Sequence, residues 1–425
     1  MRKRPVSLYH FGIFIFIGYA LFADLIDERF GSLRVVLWFL TLSVMFFSAK
    51  KGNGLKFKNI SVLAAVPVLF FLLFNSKGLQ GGSYMATVKF LYFWAVAFII
   101  AQRPDSLYKI VKYIAILGFT HVFATYFFFF VPSLYRIMFS VWKYWPTGTG
   151  NGAYGYRAAL SNHYSGNGMM LALTYLAFFS VLMSQKSGLL ENKKQDKNLT
   201  VFLISFFAVI LTTKRAHLLF GVMSMSFMYI VCNPKKIYSR GFKLLLLGLV
   251  LGPIAYFMAS QVGVIGDSLS RFKGMTEDGS VLSRYSLWAV AWDMFKRSPI
   301  IGNGWSSFRY TLNDSYLGRT YGYMNAHNVY LQLLAEVGII GFILYMAILI
   351  YLVWNSLRLL RICVKKEIQD YSLVLPLFFS GALLVFYSLY SMTGNCLYDK
   401  MQPFYFLAGG IVIGCKRKMK QLHLL

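Results

Sequence analysis

Charge is scarce in this chain, and negative charge scarcest of all: 15 Asp and Glu stand against 43 Lys and Arg in 425 residues. With only 14% charged residues beside 57% hydrophobic and 18% aromatic ones, a soluble protein of this length is excluded. Cysteine is nearly absent too. Cys232, Cys363, Cys396 and Cys415 form no CxxC pair and show no metal-ligand spacing, so neither a thiolate metal site nor a disulfide framework is expected. The polar segments contain no DxD, no HExxH and no P-loop, which leaves no signal for a bound divalent ion or for ATP. The first apolar run is followed by Asp24, Asp27 and Glu28 and not by small residues in a cleavage pattern, so it reads as a retained helix.

What the chain has instead is long apolar runs. They predict an all-α polytopic membrane protein of about twelve transmembrane helices, a single integral membrane domain over 1–425. The spans fall at about 9–26, 33–49, 59–75, 87–102, 110–131, 168–185, 199–213, 218–232, 244–260, 337–355, 371–390 and 402–415. The net charge of +28 does not point to nucleic acid, because the basic residues sit in short clusters between spans. Those clusters include Arg2 to Arg4, Lys50 with Lys51, Lys193 with Lys194, Lys235 with Lys236, Arg358 to Lys366, and Lys416 to Lys418. Placing them inside puts both termini in the cytoplasm and two long polar connections outside, at 132–167 and 261–336.

Function is expected in those connections, since long loops beside a membrane are costly unless used. The first carries Trp142, Trp145, a Gly- and Tyr-rich passage from Thr147 to Tyr156, then Arg157 and His163. In the second, Leu282, Tyr285, Trp288, Ala289 and Trp292 recur at helical spacing and predict an amphipathic helix near 281–296. Ser298 and Pro299 end it, Gly302 to Gly304 make a turn, and a further helix over 328–336 runs into the tenth span.

The candidate residues each have a plain reading beside the chemical one. Lys214 and Arg215 occupy a very short outward turn, where basic residues can snorkel to headgroups but a guanidinium fork also suits a diphosphate. Arg284 opens a helix, where a phosphate would find both its side chain and backbone N–H groups, or else it is a solvated arginine. Arg309 is a weaker case of the same kind. His327 follows a tyrosine-rich loop and has the chemistry of a neutral base or donor near pH 7, as do His163 and His217 with less support.

His327 and Asn328, followed after nine residues by Gly338, Ile339, Ile340 and Gly341, resemble the signature of the O-antigen ligase and O-antigen polymerase superfamily. So does the run Arg284, Trp288, Ser298, Pro299, Gly302, Asn303 and Gly304; the turn Thr213, Lys214, Arg215 and Ala216 resembles the family's turn between two middle spans, with lysine in place of the usual serine. Tyr156, Arg157, Ser161, Asn162 and His163 match more loosely. The resemblance implies a GT-C type, metal-independent, inverting glycosyltransferase with a large helical outward loop, in a bacterial inner membrane, acting at its outer face. It implies an undecaprenyl-diphosphate-linked oligosaccharide as donor and no cofactor. Arg215 and Arg284 would hold the diphosphate; His327 would orient or deprotonate the acceptor hydroxyl; Lys214, Arg157, His163, Asn328 and Arg309 would bind substrate. The acceptor glycan would be another lipid-linked repeat in a polymerase, the favoured case, with a chain-length regulator as possible partner, or lipid A–core in a ligase. A flippase for lipid-linked glycans is the reading from another class.

Overall fold

A computed structural model describes residues 8–31, 33–50, 81–142, 155–185, 192–246, 249, 279–311 and 324–425. Every regular element among them is helical: α1 (Leu8–Phe30), α2 (Leu33–Lys50), α3 (Gly81–Ala101), α4 (Leu107–Phe130), α5 (Pro132–Trp142), α6 (Gly155–Ala158), α7 (Tyr164–Ser184), α8 (Asn192–Leu211), α9 (Arg215–Val231), α10 (Gly279–Arg297), α11 (Phe308–Thr311), α12 (Val329–Lys365), α13 (Tyr371–Tyr390) and α14 (Gln402–Gln421), with short 3-10 turns between. Among the described residues, five segments are long and apolar enough to cross a membrane: Leu8–Asp27, Pro104–Phe130, Tyr164–Ser184, Val329–Lys365 and Tyr371–Tyr390. Shorter apolar stretches lie at Arg34–Ser48, Ala86–Ala101 and Arg215–Val231. The spans expected at 59–75 and 244–260 lie wholly or almost wholly outside the described residues.

The bundle is ordered by what each helix buries. Helices α7 and α13 are buried on nearly every side, while α1, α2, α4 and α12 leave Phe11, Phe39, Phe123, Ile343 and Trp354 exposed. Large apolar side chains left outward along whole helices are what a lipid solvent requires. Small residues let backbones meet, as membrane helices without a hydrophobic drive between them need. A Cβ on Gly410 would lie 2.7 Å from the carbonyl oxygen of Ala97, so α14 sits directly on α3.

The two ends of the bundle differ in chemistry. At one end Arg103 donates to the Ser48 carbonyl, Arg361 to that of Val231, and Lys418 pairs with Asp370 at 3.1 Å. The other end is made of polar connections and the residues singled out in the sequence. There the buried Asp24 of α1 pairs with Lys400 and accepts the backbone N–H of Asn162 at 3.0 Å, joining three distant parts of the chain.

The sequence motifs around 298–304 and 338–341 turn out to be one interlock. Helix α12 is broken at Gly338, with φ +62° and ψ −171°, so 329–337 does not continue straight into the span as a continuous helix would. The broken ladder is repaired from outside: Ile339 N–H donates to Pro299 O at 2.8 Å and Gly304 N–H to Glu336 O at 2.7 Å. Asn303 donates its backbone N–H and its amide to Ala335 O, at 3.1 and 2.8 Å. Freed backbone groups at membrane depth must find such partners.

Only glycine fits the two contact points. A Cβ on Gly338 would stand 2.4 Å from Ile300 O, and one on Gly302 (φ +70°) 2.3 Å from Glu336 O. We expect Gly338→Ala to cost about 3 kcal/mol or more, from left-handed backbone and steric conflict together. The check is the thermal midpoint in detergent, with Gly18→Ala as control, since a Cβ there meets only Leu117 at 4.0 Å.

Candidate functional site

Helix α10 forms where the sequence predicts it, but the stripe read from spacing is not the buried one: Tyr285, Ala289 and Trp292 are exposed, and it is a neighbouring stripe that places Arg284. Leu287, Val290, Ala291 and Met294 recur at helical spacing and pack against Ala326, Leu331 and Ala335. Arg284 lies one turn before Leu287 on this helix, and is thereby carried to His327.

The segment before α12 is tightly held. Ala326 N–H donates to Gln332 Oε1 at 3.0 Å, His327 N–H to Asn395 Oδ1 at 2.9 Å, and Val329 N–H to Ser391 O at 2.8 Å. His327 itself has φ +52°, a left-handed conformation uncommon for histidine, which persists only where surroundings over-determine it. Asn395 Nδ2 also lies 3.2 Å from His327 Nδ1. Below this segment Glu336 is fully buried. Its carboxylate accepts from Ser306 N–H at 2.9 Å, Phe308 N–H at 3.3 Å, Gln332 Nε2 at 3.0 Å and Tyr398 Oη at 2.8 Å.

On the opposite wall, Thr213 takes a left-handed turn (φ +57°) between α8 and α9. The Lys214 ammonium then stands 4.0 Å from the ring centroid of Tyr164. His163 caps α7, its Nδ1 accepting Ser165 N–H at 3.1 Å, and its ring lies 4.1 Å from that of Tyr164. Tyr390 closes the floor, 4.8 Å from the buried His217 ring and 3.4 Å from Ser165 Oγ.

Electrostatics shows which of these groups share one space. Burial lowers the pKa of His327 to about 4, and the charges of Arg284 and then Lys214 push in the same direction. His163 is lowered to about 4 for the same reasons, burial first, then Lys214, then His327. The structure thus brings His327, Arg284, Lys214 and His163 together.

The other expected site residues have different places. Arg215 is half-buried as the first residue of α9, next to this group, and Lys214 is the residue of that turn whose charge reaches both imidazoles. Asn328 is a helix cap: its Oδ1 accepts Tyr330 N–H and Leu331 N–H at 3.0 and 3.1 Å, which accounts for its side-chain oxygen without a substrate. Arg157 lies over the ring of Tyr156, and Arg309 sits close enough to Lys89 to act on it, with Arg34 and Asp27 nearby. Among the described residues no three His, Cys, Asp or Glu converge as a metal site. All four cysteines are buried free thiols.

Residues 200–346 match the model of the family described as O-antigen ligase. Over that segment the chain is similar to the O-antigen ligase and polymerase superfamily. No curated protein matches the chain. The matched segment takes in Lys214, Arg215, Arg284, His327 and the Gly302–Gly338 interlock, whereas His163 and Asn395 lie outside it. Asn395 was not foreseen from the sequence; its only signal is a polar Thr393, Gly394, Asn395 turn between two apolar runs.

The lowered pKa values have a consequence for stability. Both rings are neutral in the folded protein down to about pH 4 but titrate near 6.5 when unfolded. Their contribution is therefore whole above about pH 6.5 and is lost as pH falls toward 4. We expect the thermal midpoint in detergent to drop over that window, and His163→Gln to flatten the drop.

Proposed function

We propose that this chain transfers oligosaccharide repeat units from undecaprenyl diphosphate to an acceptor sugar at the outer face of a bacterial cytoplasmic membrane. The observation that carries the reading is the convergence of Arg284, Lys214 and two neutral imidazoles at one end of the bundle, within the reach of a segment matched to O-antigen ligases. Fixed cations beside a departing diphosphate are what the transition state of such a transfer needs, and they count for more where water is scarce. In the step, the acceptor oxygen attacks the anomeric carbon from the side opposite the diphosphate. The carbon–oxygen bond to the diphosphate breaks, and its electron pair leaves on the phosphate oxygen. Arg284, Lys214 and the adjacent Arg215 take up that charge, and His327 orients or deprotonates the acceptor hydroxyl.

The enzyme would be of GT-C type with about twelve spans and both termini inside, the basic end of the bundle facing the cytoplasm. The loops 132–167 and 261–336 would then lie outside, the latter as the main catalytic loop. We read it first as a polymerase, with another lipid-linked repeat as acceptor and a chain-length regulator as partner. A polymerase has two lipid diphosphates to hold, and Arg34, Lys89 and Arg309 around Asp27 offer a second group of cations. The ligase reading, with lipid A–core as acceptor, is the alternative, and the family match is shared by both.

Purified protein in nanodiscs, given a defined lipid-linked repeat unit alone or together with lipid A–core, separates these readings by product. A ladder from the repeat alone supports the polymerase, glycosylated lipid A–core the ligase. Movement of the repeat across vesicles without any new glycosidic bond would leave only a flippase. Turnover is expected to survive EDTA. Arg215→Lys keeps charge but not the bidentate fork, and should fall nearly as far as Arg215→Ala, about 10²-fold or more, at unchanged protein level. Full activity of the lysine variant would reduce Arg215 to a point charge.

A further inference from the structure

The partners of the two imidazoles decide their tautomers. A backbone N–H can only donate, so the contact of Ser165 N–H with His163 Nδ1 makes that nitrogen an acceptor and leaves the proton of the neutral ring on Nε2. His327 is settled by Asn395, a residue 68 positions away. The atom of Asn395 that lies 2.9 Å from His327 N–H must be the amide oxygen, because that N–H offers nothing to a donor. The atom 3.2 Å from Nδ1 is then the amide nitrogen, which donates and cannot accept. Nδ1 of His327 is therefore the acceptor, and the neutral ring carries its proton on Nε2.

We propose that Asn395 is a positioning residue that holds His327 as a neutral Nε2–H donor, so that His327 serves the leaving diphosphate and not the acceptor hydroxyl as its base. The inference rests on the lipid-diphosphate reading above and decides between the two roles that reading leaves to His327. A base would need a bare nitrogen toward the substrate, and the bare nitrogen here is covered by Asn395. The groups whose charges act on His327 are Arg284 from α10 and Lys214 from the turn before α9, with the neutral His163 at the start of α7 beside them; no carboxylate among the described residues is one of them. All of these are donors, which is the lining an anion selects. The burial and cations that hold the pKa of His327 to about 4 keep the ring neutral near pH 7. During transfer the carbon–oxygen bond to the diphosphate breaks, its electron pair stays on the phosphate oxygen, and Nε2–H donates to that oxygen. The acceptor hydroxyl, once bonded to the anomeric carbon, gives its proton to the departing diphosphate, the strongest base the step creates.

Asn395→Asp tests this with opposite signs for the two roles. A carboxylate there would still accept His327 N–H but would also draw a proton onto Nδ1, stripping Nε2 and raising the pKa of the ring. For a donor, turnover of the full-length variant in nanodiscs should fall about 10²-fold at pH 7, with the KM for lipid-linked donor little changed. Relative to wild type it should recover as pH falls, because the imidazolium regains Nε2–H. His327→Gln, which can donate but not accept a proton, should keep activity within about tenfold of wild type, while His327→Ala loses about 10²-fold. Nitrogen-15 NMR of histidine-labelled protein, with His327 identified by its loss in His327→Gln, should find the proton on Nε2 in wild type and on Nδ1 in Asn395→Asp.

A wild-type ring protonated on Nδ1, or an Asn395→Asp enzyme that is fully active and loses activity as pH falls, would overturn the proposal. Should Asn395→Asp fail to insert, the wild-type tautomer and His327→Gln still decide, and an inactive glutamine variant would count for the base. A wild-type protein that holds the Nε2–H tautomer yet transfers no glycan from a lipid diphosphate would support the brace and overturn the transferase reading.

Discussion

The break in α12 at Gly338 is the constraint on which the rest of this end of the molecule depends. A helix that ends at a membrane surface must satisfy its freed N–H and carbonyl groups with protein partners. Here those partners are backbone atoms of the 298–304 turn, and they can approach only because Gly302 and Gly338 lack side chains. Docking that turn on the break fixes the end of α10, and so the position of Arg284. It also sets 329–337 at its own angle, which carries His327 to Arg284 and to the turn between α8 and α9.

The second constraint is the cost of burying a carboxylate. Glu336 lies next to the break with no exposure, and four donors from three segments converge on it. Removing any one of them would leave an underpaid buried charge or lone pair, a large penalty in a low-dielectric setting. The loop 305–308, the start of α12 and Tyr398 are therefore tied into one unit, and the 391–401 segment that supplies Asn395 comes with it. Asp24, paired with Lys400 and bonded to Asn162, anchors the same segment to α1 and to the His163 wall. Two buried acids thus hold the walls of a site that is itself lined by donors.

Much of the architecture was legible before any coordinate, because lipid solvent leaves long apolar runs as a direct trace in composition. The helix over 281–296 and the stop at Ser298 and Pro299 are there as read, but the face read from spacing is the outward one: Tyr285, Ala289 and Trp292 are exposed while Leu287, Val290, Ala291 and Met294 are buried. Arg284 and His327, chosen from motif and chemistry, lie together. Other residues were legible by type but not by role. Asn328, a substrate ligand by resemblance, caps α12 with its side-chain oxygen, which accepts two of the helix's orphan N–H groups. Arg309, an ordinary loop arginine in sequence, belongs with Lys89 and Arg34, since its reach depends on where the 305–311 turn is tied.

By itself the sequence determined the solvent, the helical class, the polar segments and the residue types able to meet a diphosphate, since hydrophobicity, spacing and side-chain chemistry are local properties. Only the tertiary structure decided which of those residues meet. The break at Gly338 is invisible as a break, because a glycine in an apolar run reads equally well as helix. Asn395 had no signal beyond a polar turn, because its importance lies in two hydrogen bonds to a residue 68 positions earlier. The protonation of His327 is likewise a property of that pairing and of the cations gathered around it, and no reading of the chain one residue at a time contains it.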